Sequence, residues 1–163
     1  MLDRKTIFSP EAGPALQFVK YAVCGGIATA TNILIFYLLG WQLLPCLQPD
    51  DFFIRILHLQ VPPIDDVLRK NNATIANTIA FLISNFVAYV LNIWFVFRSG
   101  RHHRLLELGL FYAVSGVSFL IGTLLMRWLI GAFGMMTTLA FASNLVTALL
   151  INFAMRKFVI FKG

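Results

Sequence analysis

YAVCGGIATATNILIFYLLGWQLLPCLQP, residues 21–49, runs for 29 positions without an Asp, Glu, Lys or Arg. About 20 residues of apolar α-helix cross the hydrocarbon core of a bilayer, so this stretch is long enough to do so by itself. Three more uncharged stretches follow, at 71–97, 108–126 and 128–155. Together the four fill most of a 163-residue chain that is 59% hydrophobic and 12% charged, with mean hydropathy +0.80. Water-soluble folds lie far from such values, which excludes a soluble enzyme. The composition predicts an all-α integral membrane protein, a single domain over 1–163 with spans at about 18–44, 74–97, 108–130 and 137–158. An outer loop at 45–73 and a cytoplasmic loop at 98–107 connect them.

A net charge of +6 would point to nucleic acid in a soluble chain. Here the cations stand at span ends, where they set orientation, and nucleic acid is discounted. Arg4, Lys5, Lys20, Arg98, Arg101, Arg104, Arg156, Lys157 and Lys162 belong to one side, and Arg55, Arg69, Lys70 and Arg127 to the other. The positive-inside rule places the nine in the cytoplasm with both termini, and the 45–73 loop outside. The polar first 15 residues have no apolar core, so no cleavable signal peptide is expected. Cys24 and Cys46 are too far apart along one helix to bridge.

The chain also repeats itself. Tyr21-Ala22-Val23-Cys24-Gly25 returns as Tyr112-Ala113-Val114-Ser115-Gly116, 91 positions on. Tyr89, Trp94, Val96, Phe97 and Arg98 line up with Phe153, Phe158, Ile160, Phe161 and Lys162, 64 positions on. The longer outer loop of the first half accounts for the difference. Two copies of a helical hairpin, each with an even number of spans, insert in the same orientation about an axis along the membrane normal. The plainer alternative is that apolar helices resemble one another by chance. Spans two and four share a further pattern: Ala76, Ala80, Ser84 and Ala88 match Ala140, Asn144, Ala148 and Asn152. Small residues at four-residue spacing let helix backbones approach closely in lipid, marking these two helices as a packed centre or a dimer seam.

The outer loop carries Phe52, Phe53, Ile54, Ile56, Leu57 and Leu59 between Pro45/Pro49 and Pro62-Pro63. The run is too short to cross a bilayer and too apolar for water, which predicts a short interfacial helix on the outer face. Asp65-Asp66 ahead of Val67-Leu68-Arg69-Lys70 reads as a helix start.

No nucleophile with a base, no paired carboxylates and no metal-ligand spacing stand out, so no catalytic residue, metal or cofactor is expected and the chain reads as a non-enzyme. His58 stands alone, in a solvated or interfacial setting. Polarity inside the spans is the stronger signal, because ionisable groups at bilayer depth are costly. Arg127, near the outer end of span three, follows Ser115, Phe119 and Thr123 at four-residue steps on one helix face. It is a functional candidate; the alternative is that it snorkels to the interface beside Trp128. Asn32, Asn77, Asn85, Asn92, Asn144 and Asn152 could as a set line a polar path for a hydroxyl-rich group, or else each clamps a neighbouring helix. Lys20, Arg156 and Lys157 form a basic collar at the inner ends that suits phosphate as well as topology.

The chain resembles the GtrA-like small membrane proteins. Phe18-Val19-Lys20-Tyr21 leading into Gly25-Gly26 and Thr29-Ala30-Thr31-Asn32 carry the likeness in span one. Asn92-Ile93-Trp94-Phe95-Val96-Phe97-Arg98 carries it in span two, and Asn152-Phe153 with Arg156-Lys157-Phe158-Val159-Ile160-Phe161-Lys162 in span four. It covers roughly 16–162, and the long 45–72 loop departs from it. The resemblance implies a multi-pass protein of the bacterial inner membrane that works in polysaccharide glycosylation of the cell envelope. Its expected cargo is a polyprenyl-phosphate monosaccharide, moved from the cytoplasmic to the outer leaflet, where a separate glycosyltransferase uses it. On that expectation the phosphate meets Lys20, Arg156 or Lys157 on entry and Arg127 near exit, Asn32, Asn85, Asn92, Asn144 and Asn152 bond sugar hydroxyls, and Tyr112 and Trp94 stack on the sugar ring. Four spans leave little room to enclose a sugar path, so a homodimer is expected.

Two rivals remain in view. A membrane scaffold that recruits or stabilises a glycosyltransferase, without transport, suits the helix-packing ladders equally well. A proton-coupled exporter of cationic drugs needs an acidic residue in the membrane, and the spans offer only Glu107 at an inner end.

Overall fold

A computed structural model describes residues 14–95 and 104–155. These residues form helices α1 (Pro14–Gln42), α2 (Phe52–Ile56), α3 (Asp66–Phe95), α4 (Arg104–Phe133) and α5 (Thr137–Met155), with no strand among them. Val19–Gln42, Asp66–Phe95 and Phe111–Phe133 are each long and apolar enough to cross a membrane, and Thr137–Ile151 is a shorter apolar helix. The protein is therefore a multi-pass, all-helical membrane protein.

Local chemistry sets the helix ends. Pro14 opens α1, where a missing N–H costs nothing. At its other end the N–H groups of Leu43 and Leu44 both return to Leu39 O, and Cys46 N–H returns to Gly40 O. Gly40 permits this turn: a Cβ there would stand 2.8 Å from Cys46 Sγ. Asp65 caps α3, its Oδ2 accepting from Val67 N at 2.9 Å and Leu68 N at 3.3 Å. The helix start read at Asp65-Asp66 is thus present, and α3 extends without a break from there, absorbing the last part of the expected outer loop. Gly134, at φ +59°, ends α4 by sending its N–H to Ile130 O at 3.1 Å.

The most extensive packing pairs α1 with α3 and α4 with α5, and α3 with α4 joins the two pairs. Two side-by-side hairpins result, with the ends of α1 and α4 and the starts of α3 and α5 gathered at one end, the capped end. The small-residue ladder of α3 is buried: Ala76 and Ala80 fully, Ser84 and Ala88 nearly so. Its helix packs chiefly on α1 and α4.

The outer loop folds down over the capped end. Asp51, wholly buried, caps α2 through Phe53 N at 3.1 Å and also accepts from Thr138 N at 3.0 Å and from Thr138 Oγ1, at the start of α5. Tyr37 OH donates to Thr138 Oγ1 at 2.9 Å, and Thr137 Oγ1 donates to Cys46 O. Phe53 stacks on Tyr37 with centroids 3.9 Å apart, and Phe36 stacks on Phe141 at 3.8 Å. Around these rings Cys46, Leu47, Ile54, Met126, Ile130 and Ala140 complete an apolar core. The expected short loop helix is present, but one of its faces is tied to the bundle while Phe52, Ile56 and Leu57 stay exposed.

A polar cavity at mid-height of the bundle

Below the aromatic core the four long helices line an open-sided cavity of about 170 Å³. α1 supplies Thr29 and Asn32; α3 supplies Asn77, Phe81, Ser84 and Asn85; α4 supplies Ser115, Ser118 and Phe119; α5 supplies Asn144. These residues lie near the middle of their helices, at the depth where hydrocarbon would surround the bundle and unmatched polarity is most costly.

Hydrogen bonds across helices use part of this polarity. Asn32 Nδ2 donates to Ser84 Oγ at 3.1 Å, linking α1 to α3. Asn77 donates to Thr123 Oγ1 at 2.9 Å and accepts from Asn144 Nδ2 at 3.1 Å, linking α3 to α4 and α5. Gly122 makes room for that last residue, since a Cβ there would fall 2.1 Å from Asn144 Oδ1 and 3.0 Å from its backbone oxygen. Among the described residues three buried side-chain atoms stay unpaired. Asn32 Oδ1, Asn85 Nδ2 and Asn92 Oδ1 are buried with no hydrogen-bond partner, and the first two residues line the cavity. An unmade hydrogen bond in a dry site costs roughly 1 to 3 kcal/mol, so such atoms are suited to meet a guest that brings its own polar groups.

The stripe read along α4 divides between two environments. Ser115 and Phe119 line the cavity, Phe119 stacking on Phe81 at 4.1 Å. Thr123 is taken by Asn77, and beyond it Arg127 donates to Thr74 Oγ1 on α3 at 3.3 Å. Arg127 is half-buried, one turn nearer the capped end than the Asn77–Thr123 bond.

Not every expected site residue gathers here. Tyr112 gives its hydroxyl to Leu82 O at 2.5 Å and sets its ring edge against Phe81, outside the cavity wall. Trp94 is exposed at the far end of α3. Asn92 donates to Ala88 O at 2.7 Å, a turn below the cavity. Lys20 lies half-buried near the far end of α1. Asn152 falls on α5, and Arg156 and Lys157 lie outside the described residues. Sequence reasoning missed Ser118 and Phe81 as cavity residues; Asn77, read among the asparagines of a polar set, lines the wall with Asn85, eight positions on and near the same helix face. That reasoning also missed Arg69. This side chain, held there as a topology signal, is wholly buried, paired with Asp66 Oδ1 at 2.7 Å and donating to Met135 O at 2.9 Å.

The Cys46 thiol, just outside the spans, is pushed up to about 12 by burial and by the Asp51 carboxylate, against a smaller opposing pull from Arg69. It is a packing group rather than a nucleophile. Cys24 and Cys46 are both free thiols. Among the described residues no group of three metal-ligating side chains forms.

Residues 51–161 match the family model for the GtrA/DPMS transmembrane domain. The chain belongs to the GtrA/DPMS transmembrane-domain family. The match takes in α2 to α5 and begins at Asp51, the residue that fastens the loop to α5. Membership fits a membrane function connected with polyprenyl-phosphate sugars. No curated protein and no solved structure matches the chain.

Proposed function

We propose that this GtrA/DPMS domain is a flippase that moves a polyprenyl-phosphate-linked monosaccharide from the cytoplasmic to the outer leaflet, breaking no bond. The observation that carries the reading is the mid-membrane cavity whose Asn32 Oδ1 and Asn85 Nδ2 have no partner. A sugar ring offers several hydroxyls, each donor and acceptor, which suit unpaired amide oxygens and nitrogens together. Asn32, Asn85 and Asn144 contact the hydroxyls. Phe81 and Phe119 supply the aromatic surface for which Tyr112 and Trp94 were the sequence candidates. The prenyl tail stays in lipid, so the protein lowers only the cost of carrying a sugar and one phosphate past hydrocarbon.

In this reading the hairpins are copies of one unit, and the capped end faces outward. Lys20, with Arg156 and Lys157, meets the phosphate on the cytoplasmic side, and Arg127 meets it on the way out. Asn92 and Asn152 extend the amide path toward the entrance. A homodimer in the inner membrane works beside the glycosyltransferase that consumes the delivered sugar. On this reading the end that Asp51, Thr138 and Tyr37 tie together is the outer one, and the cap holds it shut.

Proteoliposomes holding only this protein test the reading. A labelled short-chain polyprenyl-phosphate hexose is supplied on one side, and a membrane-impermeant reagent counts what reaches the other. Transport above protein-free vesicles, reduced at least tenfold in Asn85→Leu, is expected. A folded protein that moves none of several sugars overturns the flippase and favours the scaffold.

A further inference from the structure

The α3–α4 seam continues past Arg127, and its last rung carries a second cation. Lys70 and Thr74 stand one turn apart on α3; Arg127 and Gly131 stand one turn apart on α4. Arg127 Nη1 reaches Thr74 Oγ1 at 3.3 Å. Lys70 lies over Gly131, where an added Cβ would meet its Cδ at 3.3 Å and its Nζ at 3.5 Å. The two cations therefore occupy adjacent rungs of one seam, each half-buried. Neither has a carboxylate partner among the described residues: the nearest acid in sequence, Asp66, gives Oδ1 to Arg69. Thr74 donates its own proton to Lys70 O at 2.6 Å, so its hydroxyl oxygen faces Arg127 as an acceptor.

Like charges side by side repel, and half-burial denies both of them full hydration. An isolated snorkelling side chain explains one cation at an interface; it does not explain two brought together with a glycine clearing the space for one of them. An oxyanion with several acceptors relieves the arrangement, since a guanidinium and an ammonium at one seam offer it charge-assisted bonds from two directions.

We propose that Lys70 and Arg127, with Gly131 as the clearance for the lysine stem, form a two-armed site for a lipid-borne phosphate at the capped end of the α3–α4 seam. It is the place where the phosphate of the cargo pauses before release, a role that rests on the flippase reading; the site itself rests on the seam. Lys70 is the new member, and it makes the exit site divalent where the entrance uses a loose collar.

The test is equilibrium binding to the full-length protein in nanodiscs of phosphatidylcholine, counted by native mass spectrometry. Separate arms add short-chain polyprenyl phosphate, phosphatidylglycerol and inorganic phosphate. Polyprenyl phosphate binding should weaken about tenfold in Lys70→Ala and in Arg127→Ala, and about a hundredfold in the double variant, one charge-assisted bond per step. Gly131→Ala should weaken it several-fold, Lys70→Arg should retain it, and Arg55→Ala, a cation of the same outer loop region away from the seam, should leave it unchanged. The same dependence on both cations with phosphatidylglycerol also supports a lipid phosphate site and identifies a bilayer lipid as an occupant. Lipid binding that survives the double variant in folded protein overturns the site, and so does binding of inorganic phosphate alone. Cation-dependent binding in a protein that moves no lipid keeps the site and discards the flippase. Translocation indifferent to both substitutions does the reverse.

Discussion

Arg69 and Arg127 lie at the same end of the bundle, yet one is spent on structure and the other is held by a single long hydrogen bond. Arg69 has a carboxylate and a carbonyl within 3 Å and no exposed surface. Arg127 has one long bond to a threonine hydroxyl. Arg69→Ala should therefore destabilise the fold by about 2 kcal/mol, because it empties a buried site and leaves Met135 O unpaired, while Asp66 can be rehydrated. Arg127→Ala should leave stability within about 0.5 kcal/mol, and thermal unfolding of the two variants in detergent checks the contrast. Gly122→Ala should lower the melting point more than any other single methyl at the α4–α5 seam, since the new Cβ lands on Asn144. For Cys46 the sign is fixed by the raised thiol: the folded state favours the protonated form. Its contribution is complete below about pH 9 and is lost as pH climbs toward 12. At pH 8, in a Cys24→Ala background, maleimide labelling of the native protein should be orders of magnitude slower than after denaturation. Arg127 was legible in the sequence because uncharged residues flank it on both sides. Arg69 was not, because Met135 lies 66 positions away.

At the scale of elements, the cap is the part that decides which end is shut. α2 has five residues, too few to hold by its own hydrogen bonds. It persists because Asp51 caps it and anchors it to Thr138, and because a Schellman turn closes it, with His58 in the left-handed region at φ 51°. Asp51→Ala removes both anchors and should cost about 1 to 3 kcal/mol. It should also free the loop, seen as faster backbone amide exchange over 45–65 with α3 and α4 unchanged. Glycine in place of His58 relieves a strained conformation and should leave α2 at least as stable. The run of apolar residues announced a short helix, and Asp65 announced the start of α3, both through local chemistry. That the loop folds onto the bundle was hidden, because its anchor pairs Asp51 with an N–H 87 positions away. The α3 ladder was visible as a packing surface, but four-residue periodicity names no partner, and the helix packs chiefly on α1 and α4.

At the scale of the molecule, a bundle shut at one end by stacked rings holds unpaired amides at mid-height. Uncharged stretches made the membrane architecture plain from the sequence, and the asparagines stood out against them. Which asparagines meet was beyond reach, because the Asn32–Ser84 and Asn144–Asn77 bonds depend on how four helices turn toward one another. If the cap is the outer gate, then loosening it should speed exchange between leaflets or uncouple it, while filling the cavity should stop it. The most direct measurement is translocation of a short-chain polyprenyl-phosphate hexose in proteoliposomes by the native protein and by a variant with Asn32 and Asn85 both changed to Leu. The account predicts transport by the first and at least a tenfold loss in the second, with both proteins equally folded and inserted. Equal transport by the two would contradict it.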